Sequence, residues 1–150
     1  MQRRTYSQSL ADLKARGIRL TPQRQIILQF LKETDEHPTA EQVYQKIGEQ
    51  FPGISLATVY NTLNMLKDLG VIRELSYGDL SSRYDGNDSH HAHLVCQSCS
   101  QVIDIECPPQ EKLVTAEMQS SGFLLNTYRL EFYGTCTACQ AAETRTSDAS

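Results

Sequence analysis

Residues 55–70 read SLATVYNTLNMLKDLG, and the fold turns on how this stretch is understood. Ser55 is a helix-capping residue, Val59, Leu63 and Leu66 recur at helical spacing as an apolar stripe, and Gly70 is a stop signal. The opposite face carries Ala57, Thr58, Tyr60, Asn61 and Asn64, with no charge before Lys67. Such a face is either a packing surface or one built for close approach. Small groups and amides suit the DNA major groove, where an amide can pair with an adenine edge.

Working outward, VIRELSY (71–77) alternates apolar and polar residues, Gly78-Asp79 reads as a tight turn, and LSSRYD (80–85) returns as a second strand. Upstream, three shorter helices are marked by their caps and stripes. Thr5 or Ser7 opens the first, which carries Leu10 and Leu13 and ends at Gly17. Thr21-Pro22 opens the second, with Ile26, Ile27, Phe30 and Leu31 on one side. Thr39 opens the third, with Val43, Tyr44 and Ile47, and Phe51-Pro52-Gly53 makes the turn that follows. Short helices followed by a hairpin describe a winged helix-turn-helix, in which Arg16, Arg19 and Arg24 can meet phosphates beside a recognition helix.

The charge distribution agrees with that reading. The 150-residue chain has a net charge of −4, yet residues 1–32 hold Arg3, Arg4, Lys14, Arg16, Arg19, Arg24 and Lys32 against Asp12 alone. One end suits phosphates, and the acidic remainder suits cations. A composition that is 39% hydrophobic and 21% charged excludes wholesale disorder, and the length excludes a (β/α)₈ barrel. No apolar run approaches the roughly 20 residues of a membrane span, and MQRRTYSQSL is not an export signal, so a cytoplasmic location without membrane contact is expected.

Beyond the hairpin, GNDSH (86–90) reads as a polar hinge. AHLVC (92–96) and QVIDIE (101–106) read as strands, and a helix with Leu113, Val114 and Met118 follows Pro108-Pro109 and stops at Gly122. FLLNTYRLEFYG (123–134) supplies one or two further strands. The expected division is a DNA-binding domain over 1–84, a hinge over 85–91, a second domain over 92–140 and a flexible tail over 141–150. The fold class is α+β, a winged helix-turn-helix followed by an α/β domain.

The most specific signal is Cys96-x-x-Cys99 with Cys136-x-x-Cys139. Without an export signal the thiols read as metal ligands. Four thiolates close a tetrahedron around one structural Zn²⁺ per chain and leave no position for substrate. Two redox dithiols are the competing reading, but a thioredoxin-like site needs one pair at a helix start. Cys107 lies outside both pairs and has no assigned role.

A second signal comes from the histidines, His37, His90, His91 and His93. In a strand, His91 and His93 project from one face as a pincer for a cation, Asp104 in the neighbouring strand can complete the set, and Asp85 ends the hairpin. His90 reads as a surface residue. A shell of imidazole and carboxylate without sulfur favours Fe²⁺, Mn²⁺ or Zn²⁺ in five- or six-fold coordination.

HPTAEQVYQKI (37–47), SLATVYNTLNMLKDLGVI (55–72), the H-H-x-H-L-x-C-x-x-C block (90–99) and YGTCTAC (133–139) together resemble the Fur family of metal-dependent repressors over about residues 15–140. Within it the chain looks most like the peroxide-sensing members. The resemblance implies a homodimer that binds an AT-rich inverted-repeat DNA operator and a C-terminal domain that dimerises. It also implies one regulatory Fe²⁺ or Mn²⁺ per chain on His37, Asp85, His91, His93 and Asp104, and oxidation of His37 or His91 by peroxide that releases the metal and the DNA. Aspartate at 104 is the discriminating feature, since iron-sensing members tend to carry glutamate there. A further family site needs an acid where Ala92 stands and a histidine near Asn126 and Thr127, so it is expected to be absent.

An iron-uptake or zinc-responsive repressor is the alternative within the class. A mononuclear metal enzyme is the alternative outside it, disfavoured because no general base or Gly-rich substrate loop is evident. A zinc-stabilised interaction module is a third, and it would show no salt-dependent affinity for duplex DNA.

Overall fold

The structure, a computed structural model, describes residues 3–76, 81–108, 110–126 and 128–148. The chain divides into two compact units, Met1–Ser89 and His90–Ser150. The first contains α1 (Tyr6–Ala15), α2 (Pro22–Glu33), α3 (Ala40–Gly48), α4 (Leu56–Asp68), β1 (Arg73–Leu75) and β2 (Arg83–Asp85). All four helices start at a hydroxyl side chain: Thr5, Thr21, Thr39 and Ser55 each accept the backbone N–H three residues on. At Thr5 and Thr39 the cap is reciprocal, because the Gln8 and Gln42 side chains accept the N–H of the capping residue.

The stripe expected on α4 is fully buried. Val59, Leu63 and Leu66 pack with Leu13, Ile27, Leu31, Val43, Ile47 and Ile72 into one core. Gly70, at φ +75°, ends the helix and lets the Val71 N–H turn back onto the Leu66 carbonyl at 3.1 Å. β1 and β2 pair antiparallel as the wing. The expected Gly78-Asp79 turn lies outside the described residues. β2 also meets the segment before α3: the Tyr84 N–H donates to the Pro38 carbonyl at 2.8 Å, and Thr39 bridges Arg83.

The second unit contains β3 (Ala92–Cys96), β4 (Val102–Ile105), α5 (Gln110–Leu113), α6 (Ala116–Ser120), β5 (Glu131–Gly134) and α7 (Thr137–Asp148). Its sheet runs β4-β3-β5, with β3 antiparallel to β4 and parallel to β5. The single helix expected after Pro108 is broken in two, because the Thr115 hydroxyl accepts the Met118 N–H at 3.2 Å and starts α6 afresh.

Asp85 closes β2, and the first unit runs through Ser89. The last residues, expected as a frayed tail, continue α7 through Asp148. Ala141, Ala142, Glu143 and Arg145 are good helix formers, and the Thr144 and Thr146 hydroxyls donate back to the Gln140 and Ala142 carbonyls. Among the described residues no helix is long and apolar enough to cross a membrane.

Candidate metal centres and nucleic-acid interface

Parallel pairing of β3 with β5 sets Cys96 opposite Gly134, and this register carries Cys136 to the first cysteine pair. Around Cys96 the backbone folds into a knuckle. The Cys96 N–H donates to Gln101 O, the Ser100 N–H donates to Cys96 O, and Ser100 takes a left-handed φ of 65°. Cys139 lies in the first turn of α7. The four sulfurs of Cys96, Cys99, Cys136 and Cys139 all lie within 4.8 Å of one another. Ligands about 2.3 Å from a tetrahedral Zn²⁺ are about 3.8 Å apart. The Cys99 and Cys136 sulfurs stand 3.8 Å apart, so the cage fits that ion.

The thiols are electrostatically unequal. Backbone N–H groups of Cys136 and Cys99 point at Cys96 and pull its pKa down to about 6, with the Cys136 N–H 3.3 Å from the sulfur. Cys139 is pushed up to about 12, first by its contact with the Cys136 thiol and then by burial. The thiolate is thus favoured at Cys96 before any ion arrives, whereas Cys139 needs a cation before it ionises.

In the same unit the antiparallel register places His93 opposite Asp104. His91 Nε2 lies 2.9 Å from His93 Nε2, and Asp104 Oδ1 lies 3.3 Å from the first and 3.2 Å from the second. Two donors about 2.1 Å from an ion, at right angles, are about 3.0 Å apart. This triangle therefore matches one face of a five- or six-coordinate divalent ion. His90 is not part of it; its ring stacks on Tyr128 at 5.0 Å. Cys107 Sγ is 3.1 Å from the Tyr128 hydroxyl.

The first unit holds a second N/O pair. His37 follows α2, and its backbone is stitched to β2 by the Pro38–Tyr84 hydrogen bond and by Arg83, whose guanidinium donates to the His37 carbonyl at 2.9 Å. That pairing brings His37 Nε2 within 3.5 Å of Asp85 Oδ2, both side chains being buried. The other Asp85 oxygen accepts the Asn87 N–H at 2.8 Å.

Sequence reasoning missed the surroundings of this pair. Lys32, counted among the bases of the phosphate-suited end, has a side chain that is 0% exposed, and its Nζ lies 3.5 Å from Asp88 Oδ1. Burial pushes its ammonium below the ordinary value, against the pull of Asp88. The signal was present but weak: Lys32 follows Leu28 by four residues and so falls on the buried side of α2.

On α4, Ala57, Tyr60, Asn61 and Asn64 are exposed, while Thr58 is half-buried and its hydroxyl lies 2.9 Å from the Ser55 cap hydroxyl. The Tyr60 hydroxyl donates to Glu41 at 2.6 Å, which lowers the Glu41 pKa and raises that of Tyr60. Of the expected phosphate contacts, Arg19 is exposed and lines a surface groove of about 580 Å³ with Lys14. Arg16 donates to the Leu69 carbonyl at the end of α4, and Arg24 lies 3.3 Å from the Met65 sulfur. Both are therefore seated against α4.

Comparison with known proteins places these features. Residues 15–133 match the Ferric uptake regulator family. The chain is 42% identical over 133 residues to the peroxide-responsive repressor PerR of Staphylococcus aureus strain Mu50, covering 89% of this chain and 90% of that one. The crystal structure of the Campylobacter jejuni peroxide stress regulator is similar at a TM-score of 0.70 and 32% identity, covering 87% of this chain and 98% of that one. A zinc-bound manganese uptake regulator is similar at a TM-score of 0.65 and 32% identity, covering 89% and 99%. The chain belongs to the ferric uptake regulator family of metal-dependent transcriptional regulators.

Proposed function

We propose that this chain is a repressor that binds operator DNA as a homodimer when a divalent cation is bound, and releases it after peroxide oxidises a ligand histidine. The observation that carries the reading is the sulfur-free triangle of His91, His93 and Asp104, with donor separations of 2.9, 3.3 and 3.2 Å. His37 and Asp85, 3.5 Å apart, supply the remaining ligands in this reading. Fe²⁺ or Mn²⁺ takes these five donors, and Zn²⁺ takes Cys96, Cys99, Cys136 and Cys139 as a closed structural site.

Bound Fe²⁺ would mediate cleavage of the O–O bond of H₂O₂ beside its ligands, one oxygen leaving as water and the other passing to an imidazole ring, which gives up the two electrons. His37 or His91 takes up an oxygen atom and becomes a poorer donor. Asp85, Asp104 and the remaining imidazoles then hold the cation too weakly to keep the dimer in its DNA-binding shape. Aspartate at position 104 and the similarity to a peroxide-responsive repressor and a peroxide stress regulator support this over an iron-uptake role.

In the DNA complex the exposed face of α4 reads base edges, Lys14 and Arg19 meet phosphates, and the two recognition helices of the dimer lie about 34–36 Å apart. The dimer contact is the apolar row Ile103, Leu94 and Phe132, cross-strand neighbours that are 45%, 41% and 49% exposed in the single chain.

Mass spectrometry of Fe²⁺-loaded protein after H₂O₂ tests the reading. A gain of one oxygen on the peptide containing His37 or His91, with loss of the operator gel shift, is expected. Unmodified histidines with an unchanged gel shift would instead favour the iron-uptake or zinc-responsive alternative.

A further inference from the structure

We infer that Gly86, Asp88 and Lys32 form a positioning relay that ties the Asp85 carboxylate to the C-terminal turn of α2. The inference rests on the reading above, in which Asp85 is a ligand of the regulatory cation.

The geometry starts one residue after Asp85. A Cβ on Gly86 would lie 1.9 Å from the Leu31 carbonyl oxygen and 2.5 Å from its carbon, so no other residue fits against α2 at this point. Asn87 then donates its N–H to Asp85 Oδ1 at 2.8 Å, and its own side-chain oxygen accepts from the N–H and hydroxyl of Ser89. Asp88 is held from three directions. Its Oδ1 accepts the Arg4 N–H at 3.3 Å and lies 3.5 Å from Lys32 Nζ, its Oδ2 is 3.7 Å from Arg4 Nε, and its carbonyl accepts from Arg73.

Lys32 anchors this arrangement. Its side chain is wholly buried, so a shift of Asp88 would leave a buried ammonium without its counter-charge. The same helix end also fixes the start of the His37 segment, because the Arg3 guanidinium donates to the Leu31 and Thr34 carbonyls at 3.0 and 2.7 Å. Both cation ligands of the first unit therefore hang from the last turn of α2. α2 in turn packs through Ile27, Leu28 and Leu31 into the core that holds α4.

The relay contributes no ligand. It keeps Asp85 where a cation can use it, and without it only a fraction of molecules presents a competent Asp85. The apparent affinity then falls by that fraction, while a saturating cation still restores the bound state.

The test is an Mn²⁺ titration, followed by electron paramagnetic resonance, of the full-length zinc-loaded protein. Asp88→Asn is expected to weaken Mn²⁺ binding about tenfold, the low end of what outer-shell partners of metal ligands contribute. Its zinc content should stay unchanged, and its operator binding at saturating Mn²⁺ should match the parent within about threefold. A Lys32→Met/Asp88→Leu double variant removes both buried charges together. It is expected to melt no lower than the parent and still to bind Mn²⁺ about tenfold more weakly.

Parental Mn²⁺ affinity in the double variant overturns the relay, as does an affinity loss in Asp88→Asn that disappears once both charges are removed. Asp85→Ala in the same titration separates this from the functional reading. If it leaves Mn²⁺ affinity intact, the ligand assignment itself fails; if it removes the affinity while the relay variants keep theirs, only the relay fails.

Discussion

The two units are stabilised in different ways. Before residue 89 the chain has a continuous apolar core in which Leu13, Ile27, Leu31, Val59, Leu63 and Leu66 are completely buried. After it, the buried apolar side chains among the described residues are Ala92, Val95 and Cys96, while Leu94, Ile103, Phe123, Leu124 and Phe132 stay exposed. A unit this poor in core depends on a metal cage and on covering its apolar row, whereas the first unit can stand on packing. Cation chemistry is thus concentrated where hydrophobic burial is scarcest.

The largest break in this contrast comes from the cage. Cys136→Ser removes one of the four sulfur ligands and should forfeit much of the roughly 10–16 kcal/mol of apparent zinc affinity typical of such sites. We expect loss of bound zinc, measured with a chromophoric chelator, and melting of the second unit while the circular-dichroism transition of the first survives. The reverse result comes from Leu66→Ala, which should cost about 2–5 kcal/mol in the first unit and leave zinc stoichiometry unchanged.

Leu94→Glu places a charge in the middle of the exposed row. It should weaken dimerisation by roughly 2 kcal/mol, about thirtyfold in dissociation constant, as read by sedimentation equilibrium with zinc retained.

The smallest effect concerns the link between α4 and β1, where Lys67 Nζ lies 2.9 Å from Glu74 Oε2. Lys67 holds the Glu74 carboxyl below its ordinary value of 4.5. The stabilisation is therefore fully present above that pH and is lost as pH falls through the lower, folded-state value. The pair is partly exposed and screened by solvent, so Lys67→Met should lower the urea midpoint at pH 7 only slightly. Near pH 3 the difference between variant and parent should shrink.

What could be read from the sequence was what depends on near neighbours. The caps Thr5, Thr21, Thr39 and Ser55 act on backbone groups three residues away, and the stripe of α4 needs only helical spacing. The cysteine pairs announce themselves because few chemistries use two C-x-x-C motifs. What could not be read depends on distant partners. GNDSH looks like a pliant linker, yet Gly86 is pressed on Leu31 and Asp88 faces Arg4, 84 positions away in the chain. Lys32 counts in the sequence as one of the bases suited to phosphates, and only the packing of α2 shows that it is buried. The split at Thr115 was missed because a threonine inside a helical pattern reads equally well as an interior residue or as a fresh cap.

The parallel pairing of β3 with β5 has a consequence for biosynthesis. Val95 pairs with Tyr133, so one strand leaves the ribosome well before its neighbour exists. At about 5–20 residues per second, roughly 2–8 seconds pass in between. During that interval the first unit can fold, while Leu94 and Cys96 wait on a nascent chain with an open strand edge. A factor that shields such edges, or a ready supply of chelatable zinc at that moment, would govern how much of the polypeptide reaches its native form.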